Sequence, residues 1–181
     1  MKVVVTIGGS VLAPDLDVTR VEGHAAAIEA LVDAGWDVGV VVGGGSVARD
    51  YIDAGRRLGA NEIELDQIGI EVTRLNARLL LSALDTDAVA TPAEQYAEAG
   101  EAMRHGDVAV MGGVVAGQTT DAVSAAMAEY TDADLLVYAT SVPGVFSADP
   151  ETDASAERFD RLSASELVDV IVDVEMNAGS S

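Results

Sequence analysis

The stretch DVGVVVGGGSVAR, residues 37–49, joins a short apolar run to three consecutive glycines and then to a helical pattern. The Val-rich run at 37–42 has the length and composition of a buried β-strand. The glycines predict a tight connection into the following helix, because residues without a Cβ let the backbone turn sharply. A strand that leads directly into a helix is typical of βαβ units, in which neighbouring strands are parallel.

The same alternation continues on both sides of this stretch. It predicts further strands at 2–7, 87–90, 108–111 and 135–139, the last two buried, and further helices that begin at Asp17, Asn61, Pro92, Thr119 and Ser163. The longest of these helices is expected to run over 61–84 and to bury an apolar stripe of Ile68, Val72, Leu75 and Leu79. This order of elements predicts an α/β protein, a single domain over 1–181 with three α/β/α layers and a mainly parallel sheet.

The end of the chain differs from a finished domain of this class. It reads NAGSS, residues 177–181, and follows a helical pattern directly, without a closing strand. An unfinished parallel sheet would expose an edge that is prone to pairing. We therefore expect a domain that lacks its C-terminal elements.

Composition disfavours several classes of protein. The chain contains no cysteine, so neither a disulfide framework nor a thiolate metal site is possible, and this absence fits a cytoplasmic protein. No apolar stretch approaches the roughly 18–20 residues that span a bilayer. Gly8 and Gly9 interrupt the apolar amino terminus early, which favours a first strand over a signal peptide.

The charge of the chain is strongly negative. The formal net charge is −21, from 31 acidic and 10 basic residues, and Lys2 is the only lysine. Such a surface repels nucleic acid and anionic membranes, so neither is expected as a partner. Because the acids are spread through every predicted helix rather than gathered in a tail, they favour a halophilic protein, whose self-repulsion is relieved by salt.

Four predicted strands end in loops rich in Gly, Ser or Thr. The loops read TIGGS (6–10), VVGGGSVAR (41–49), VMGGVVAGQTTD (110–121) and ATSVPGVFSADP (139–150). In open α/β sheets the ligand binds outside the carboxyl ends of the strands, where glycines admit it and helix amino termini attract anions. Four such loops at one sheet edge predict a site for phosphate or nucleotide.

A dinucleotide-binding fold is one alternative interpretation of these glycines. Gly43, Gly45 and Ala48 fit G-x-G-x-x-A, and Asp66 lies near the distance expected for a ribose-binding acid. Against this interpretation, the fingerprint normally follows the first strand, and Asp66 falls in a predicted helix. A Walker A loop is excluded, because no Gly-Lys-Ser/Thr sequence occurs.

The order of the motifs is that of the amino acid kinase family. A first strand runs into GGS (8–10), a second into VVGGG with Ala48 and Arg49 after it, GG (112–113) precedes GQTTDA (117–122), and TSVPGVFSADP covers 140–150. In this order the chain resembles that family over nearly its whole length, and within it the archaeal-type uridylate kinases. The resemblance implies that the γ-phosphoryl group of ATP is transferred to UMP in pyrimidine biosynthesis, by a homohexamer.

The resemblance also implies which residues bind ATP. By position they would be Gly9, Ser10, Gly45, Arg49, Thr140, Phe146 and Asp149. Arg49 would also act in catalysis together with Asp121, which would organise the cationic groups around the transferred phosphoryl. Many family members carry a lysine at the position of Thr6, so Arg49, backbone N–H groups or Mg²⁺ would supply that charge here. Asp149, which precedes Pro150, fits a turn residue equally well.

The UMP-binding residues implied by the resemblance come from three segments. They would be Gly44, Asp66, Val114, Val115, Ala116, Gly117, Gln118, Thr119 and Thr120. Gly44 would hold the UMP phosphate, and Asp66 would accept hydrogen bonds from the ribose. Two structural interpretations stay open, because Thr119 can cap the following helix and Asp66 can be a solvated helix residue.

Mg²⁺ is expected to arrive with ATP, because sites of this type rarely build an all-protein magnesium cage. His24 and His105 have no partners at metal-ligand spacing, so no protein metal site is expected. Three alternative functions remain: another small-molecule kinase of the same family, an NAD-dependent dehydrogenase, and a non-catalytic nucleotide-binding protein.

Overall fold

The computed structural model describes residues 1–170. The chain divides into two compact units, of which the first spans Met1–Ala139 and the second begins at Thr140. The parallel sheet lies wholly in the first unit. The expectation of a single domain stays a prediction.

A four-stranded parallel sheet forms the centre of the first unit. Its strands are β1 (Lys2–Ile7), β2 (Asp37–Val42), β3 (Ala109–Met111) and β4 (Leu135–Ala139), in the spatial order β3-β2-β1-β4. Ile7 pairs with Val42, so β1 and β2 end at the same level. The predicted strand at 87–90 is reduced to one parallel bridge between Ala88 and Val108.

Helices cover both faces of this sheet. They are α1 (Gly9–Leu12), α2 (Val18–Asp33), α3 (Gly45–Arg57), α4 (Glu62–Leu81), α5 (Tyr96–His105) and α6 (Thr120–Thr131), with a short 3-10 turn at Pro14–Leu16. Buried side chains of α1, α2 and α4 pack on one face, with α3 against α4, whereas α5 and α6 pack on the other. The predicted three-layer α/β/α class with a parallel sheet is confirmed.

Side chains that point alternately to the two faces of the sheet produce the two core layers. Val3 and Val5 of β1 face the α2 side, and Val4 between them faces α5 and α6. In β2 the second layer approaches the backbone closely, because a Cβ on Gly39 would lie 2.5 Å from the terminal methyl of Met127. Strands β1 and β2 are therefore buried on both faces, which explains their near-continuous Val content.

Three helices begin at the capping residues that the sequence predicts. The side chain of Asp17 accepts a hydrogen bond from the Thr19 N–H at 2.9 Å at the start of α2. Asn61 forms a reciprocal capping box with Glu64 at the start of α4, and the Thr119 hydroxyl caps α6. These starts could be predicted because capping is a local interaction between residues two or three positions apart.

The predicted start of α5 at Pro92 is wrong. The helix begins four residues later, at Tyr96. The carboxylate of Glu98 accepts hydrogen bonds from the backbone N–H groups of Glu94 at 2.8 Å and Gln95 at 3.3 Å. These bonds satisfy donors that the first turn cannot pair, and they place the start of the helix after Gln95.

The predicted apolar stripe of α4 is partly wrong. Val72 is buried as expected, but Leu75 is 60% exposed. The buried positions of this helix are Leu65, Val72, Asn76, Ala77 and Leu80, and the helix ends at Leu81. The chain has apolar residues on two faces of α4, and periodicity alone does not tell which face meets the sheet.

Strand β4 is not buried as predicted. Leu135, Val137 and Tyr138 are exposed, although β4 pairs in register with β1. It forms one edge of the sheet in the described part of the chain, next to β1. Its apolar composition predicted a strand correctly, whereas its burial depends on which elements lie beside it.

In the second unit, a helix described over 164–170 follows Ser163. The Ser163 N–H donates to Glu166 Oε2 at 2.7 Å, and the Ser163 hydroxyl accepts from the Glu166 N–H at 3.2 Å. The predicted capping box is thus confirmed, and its hydrogen bonds hold the pKa of Glu166 below its usual value. The predicted chain end at 177–181 lies outside the described residues.

None of the helices described is long and apolar enough to cross a membrane.

Candidate functional site

Three glycine loops converge at the carboxyl edge of the sheet. We call them loop 1 (residues 8–10, after β1, including the first two residues of α1), loop 2 (43–45, after β2, ending at the first residue of α3) and loop 3 (112–119, after β3). A Cβ on Gly9 would lie 2.5 Å from the carbonyl oxygen of Gly43 and closer still to the backbone of Gly44 and Gly45. Loops 1 and 2 therefore touch backbone to backbone, which only glycine at this position permits.

Arg49 and Ser10 lie beside this junction. Arg49 is in α3, which begins at Gly45, and its guanidinium lies 3.4 Å from the hydroxyl oxygen of Ser10. Gly45 has a positive φ of 65°, a conformation that favours glycine. The structure thus brings together four of the predicted ATP-binding residues: Gly9, Ser10, Gly45 and Arg49.

Helix α4 anchors the loops through polar side chains. The amide of Asn76 donates hydrogen bonds to the carbonyl oxygens of Gly43 at 2.9 Å and Gly44 at 3.2 Å. The hydroxyl of Thr73 accepts a hydrogen bond from the Gly113 N–H at 2.6 Å. Both loop 2 and loop 3 are thereby fixed to the same helix.

Asp66, near the start of α4, contacts loop 3. Its carboxylate accepts a hydrogen bond from the backbone N–H of Gly117 at 2.8 Å. Asp66 is therefore bonded to the loop rather than merely solvated on the helix surface. Its position inside a helix also removes the support for a dinucleotide fingerprint, in which the acid ends a strand.

A cavity of about 310 Å³ opens between loop 2, loop 3 and α4. Eight of the nine predicted UMP-binding residues line it: Gly44, Asp66, Val115, Ala116, Gly117, Gln118, Thr119 and Thr120. Val114 instead packs against the core layer formed with α5 and α6. The volume lies at the lower end of the range for small-molecule sites.

A larger cleft lies elsewhere, between α2 and the end of α4. Its volume is about 410 Å³, and its polar lining includes the carboxylates of Glu22, Glu29 and Asp85. Neither this cleft nor the other larger ones, of about 430, 490 and 600 Å³, contains a residue of the three glycine loops. An acidic cleft without these backbone donors is unsuited to phosphate, so the smaller cavity is the better candidate.

The amino terminus of α6 borders the cavity. Thr119 caps this helix through its hydroxyl, which accepts from the Ala122 N–H at 3.2 Å, and it also lines the cavity. The hydroxyl of Thr120 lies close to loop 2, 3.3 Å from where a Cβ on Gly43 would be. Asp121 is exposed in the first turn. The positive end of a helix dipole thus faces the region between loops 2 and 3.

Tyr96 contacts loop 3 from α5. Its hydroxyl donates a hydrogen bond to the side-chain oxygen of Gln118 at 3.3 Å, and its ring centroid lies 6.4 Å from that of Tyr130. Burial raises the pKa of Tyr96, because the ionised phenolate loses solvation. Tyr96 therefore presents a neutral hydroxyl to loop 3 at physiological pH.

The remaining predicted ATP-binding residues lie in the second unit. The Thr140 hydroxyl donates to the Val142 carbonyl at 2.6 Å, and Phe146 forms an antiparallel bridge with Arg158. The carboxylate of Asp149 accepts from the Glu151 N–H at 2.9 Å. Asp149 thus forms the turn that its position before a proline suggested.

Sequence reasoning missed several residues of the cavity. The lining residues that were not predicted for either nucleotide are Ala48, Ile52, Gly69, Ile70, Thr73 and Gly113, whereas Gly45, which was predicted for ATP, lines this cavity as well. Asn76 was missed as well, although Asp66, Thr73 and Asn76 have helical spacings of seven and three. The available signal was the helical spacing itself, which places these three polar residues on one face of α4.

No group of three or more His, Asp or Glu side chains suited to a metal ion occurs in residues 1–170. His24 has a structural contact, since its Nε2 lies 3.1 Å from the Val11 carbonyl oxygen. Oxygen donors near the loops include the hydroxyls of Ser10 and Thr120 and the carboxylates of Asp66 and Asp121. These are hard donors of the kind that Mg²⁺ prefers.

The fold and the loops define the class of α/β proteins that place their ligand site at the carboxyl edge of a parallel sheet. The sequence model of the amino acid kinase family matches residues 1–180. The chain therefore belongs to the amino acid kinase family, and the predicted family resemblance is confirmed.

Several known proteins are similar to this chain over its whole length or nearly so. A uridylate kinase of Halobacterium salinarum is 74% identical over 181 residues, which are 100% of this chain and 75% of the relative. A uridylate kinase of Haloarcula marismortui is 67% identical over 100% of this chain and 79% of the relative. The crystal structure of a uridylate kinase from Archaeoglobus fulgidus has a TM-score of 0.88 at 45% identity, covering 95% of this chain and 78% of that one.

Proposed function

We propose that this chain binds ATP and UMP and transfers the γ-phosphoryl group of ATP to UMP, giving UDP and ADP. The observation that carries the proposal is the cavity beside loop 2. Eight residues from three separate segments, assigned to UMP by resemblance alone, line this one cavity. The uridylate kinases that are 74% and 67% identical over the whole chain support the same substrate.

The two nucleotides would approach the junction of loops 1 and 2 from different sides. ATP phosphates would lie at Gly9, Ser10 and Gly45, with Arg49 beside them. The UMP phosphate would lie at Gly44, on the cavity side. Backbone N–H groups and a helix amino terminus suit phosphate, because they donate hydrogen bonds without adding a flexible charge.

The chemistry needs positioning and charge stabilisation more than proton transfer. A phosphate oxygen of UMP bonds to the γ-phosphorus while the bond to the β,γ-bridging oxygen breaks, and that oxygen leaves on ADP. A phosphate monoester is largely dianionic at neutral pH, so no side chain has to remove a proton first. In-line transfer then depends on donors aimed at the developing charge.

Arg49 is the candidate cation for that charge. Thr6, which stands where many family members have lysine, is 4% exposed and lies in β1. Its hydroxyl carries no charge, so this position supplies no cation at the loops. Arg49 lies 3.4 Å from Ser10, at the beginning of α3, where it can reach a phosphate bound on loop 1.

Mg²⁺ would enter with ATP and neutralise part of the triphosphate charge. Asp121 is the candidate protein ligand, because its carboxylate is exposed in the first turn of α6. One or two protein oxygens are sufficient for a magnesium ion that keeps phosphate and water ligands.

The assembly is proposed to be a homohexamer. Tyr51 of α3, at 60% exposed, and Ile63 and Leu75 of α4, at 63% and 60%, are large apolar side chains on the surface of the isolated chain. Tyr51 and Leu75 line one apolar groove between α3 and α4. A second copy of the chain is the proposed cover for this groove.

The setting is proposed to be a cytoplasm of high salt, without nucleic acid or membrane as partners. The support is the net charge of −21 and the absence of cysteine. The similarity to relatives from Halobacterium salinarum and Haloarcula marismortui agrees with salt adaptation.

The decisive experiment is a coupled assay of ADP release in molar KCl with Mg-ATP, comparing UMP with CMP, AMP and GMP. We expect turnover with UMP alone. Turnover with another monophosphate would assign a sibling specificity. Calorimetric UMP binding without turnover would leave a nucleotide-binding protein, and neither binding nor turnover would refute the proposal.

A further inference from the structure

Asn76 is a buried polar side chain that the proposed reaction does not use directly. It lies on α4 and is 6% exposed. Its Nδ2 donates to the carbonyl oxygens of both Gly43 and Gly44, at 2.9 and 3.2 Å. A buried amide is costly unless it is hydrogen-bonded, and these two bonds use both of its donors.

The two bonds fix the orientation of loop 2. In a trans peptide unit the N–H points opposite to the C=O. Because the Gly43 and Gly44 carbonyls point at Asn76, the N–H groups of Gly44 and Gly45 point away from it. The Gly45 nitrogen, like the Gly43 carbonyl oxygen, is among the atoms that a Cβ on Gly9 would strike, so loop 2 touches loop 1 at these peptide units. Neither N–H donates a hydrogen bond to another residue in the described part of the chain.

Thr73, one turn before Asn76, acts on loop 3 in a similar way. Its hydroxyl donates to the Ile70 carbonyl at 2.6 Å, so its lone pair is left to accept from the Gly113 N–H, also at 2.6 Å. Both hydrogen-bonding roles of the hydroxyl are thereby used inside the protein. One face of α4 thus holds loops 2 and 3, and the amide hydrogens of Asn76 and the hydroxyl hydrogen of Thr73 are already donated within the protein.

We propose that Asn76 and Thr73 are positioning residues, which aim the donors of loop 2 at both nucleotides and hold loop 3 in place for UMP. The inference rests on the proposed function, since it takes Gly44 to serve UMP and Gly45 to serve ATP. The proposal predicts that the two residues affect the two nucleotides differently, which a purely structural role does not predict. Loss of the Asn76 amide should affect both nucleotides, whereas loss of the Thr73 hydroxyl should affect UMP alone.

The test is calorimetric binding of UMP, and separately of Mg-ATP, to the 181-residue chain in molar KCl. Asn76→Asp keeps the shape but turns an oxygen toward two carbonyls, and Asn76→Ala removes the donor. We expect both affinities to fall about tenfold to a hundredfold, the scale of one hydrogen bond to a charged phosphate that the re-aimed loop no longer makes. Thr73→Val should lower UMP affinity alone, and Thr73→Ser, which keeps the hydroxyl, should restore it.

The matched control is Asn61→Ala, which removes an asparagine from the same helix at its amino-terminal cap. It should lower the melting temperature and leave both affinities unchanged. If Asn76→Ala behaves like Asn61→Ala, or if Thr73→Ser fails to restore UMP binding, the positioning role is refuted. If Asn76→Asp does not fold, the positioning role is still tested by Asn76→Ala and by the comparison of Thr73→Val with Thr73→Ser. Failure of the unaltered chain to bind either nucleotide would instead refute the proposed function.

Discussion

The carboxylate of Asp66 and the backbone N–H of Gly117 are hydrogen-bonded at 2.8 Å, although 51 positions separate them in the chain. This bond closes loop 3 onto α4 at the mouth of the cavity. The side chain proposed to accept the ribose hydroxyls therefore also holds the loop that would cover the ligand. Its two carboxylate oxygens allow both functions at once.

Asp66→Ala should weaken UMP binding by about tenfold to a hundredfold, since a charged acceptor contributes about 1.5–3 kcal/mol per hydrogen bond. ATP affinity should change little. The UMP affinity of Asp66→Asn should lie between those of Asp66→Ala and the unaltered chain, because its amide oxygen can still accept a hydrogen bond from the Gly117 N–H. Calorimetric titration with each nucleotide measures both effects.

The control for removing one negative charge is Asp53→Ala, at an exposed position of α3 that pairs with Arg56. It should leave UMP affinity unchanged. An equal loss of UMP and ATP binding in Asp66→Ala would contradict the proposed ribose contact.

Arg49→Ala should lower kcat by about a hundredfold or more, the usual effect of losing one donor that stabilises transition-state charge. UMP affinity should fall less than turnover. Steady-state kinetics over both substrates separates the two. Arg57→Ala, an exposed arginine at the end of the same helix, is the control and should retain activity. Unchanged turnover in Arg49→Ala would remove this residue from the phosphoryl site.

Gly9→Ala should force loops 1 and 2 apart, because its Cβ would strike the backbone of Gly44 and Gly45. We expect loss of ATP binding together with a lower melting temperature. Gly23→Ala is the matched substitution, in α2 with no atom within 4 Å of the new methyl. It should stabilise the chain by about 0.5–1 kcal/mol and leave binding intact. Normal ATP affinity in Gly9→Ala would show that the loops can separate without consequence.

Leu75→Asp should disrupt the proposed assembly, because a charge in an apolar interface is left without a partner. Light scattering should give a smaller mass than for the unaltered chain. Val18→Asp, an equally exposed apolar position at the start of α2, should keep the original mass. A monomeric unaltered chain would end the hexamer proposal, and an unchanged mass for Leu75→Asp would place the interface elsewhere.

Molar KCl should raise the melting temperature. The Debye length falls from about 10 Å at 0.1 M to about 3 Å at 1 M salt, so repulsion among the exposed acids is screened. Scanning calorimetry over a KCl series measures the effect, with sucrose as a non-ionic comparison. A similar rise in sucrose would attribute the stabilisation to solute exclusion rather than to charge.

The sequence by itself determined the elements and much of their order. The strands at 2–7 and 37–42 and the caps Asp17, Asn61 and Thr119 follow from apolar runs and from contacts within three residues. Such signals are local, so residues that are close in the sequence are sufficient to predict these elements. The meeting of the glycine loops could also be predicted, because a parallel sheet places the carboxyl ends of all its strands at one edge.

Only the tertiary structure decided which faces and loops meet. It exposes Leu75 and buries Asn76 one position later, since the sheet covers one of two apolar faces of α4. It joins Asn76 to Gly43 over 33 positions and Asp66 to Gly117 over 51. Contacts over this sequence separation arise when helices pack on the sheet. The periodicity of one helix does not identify the residue of another segment that it contacts.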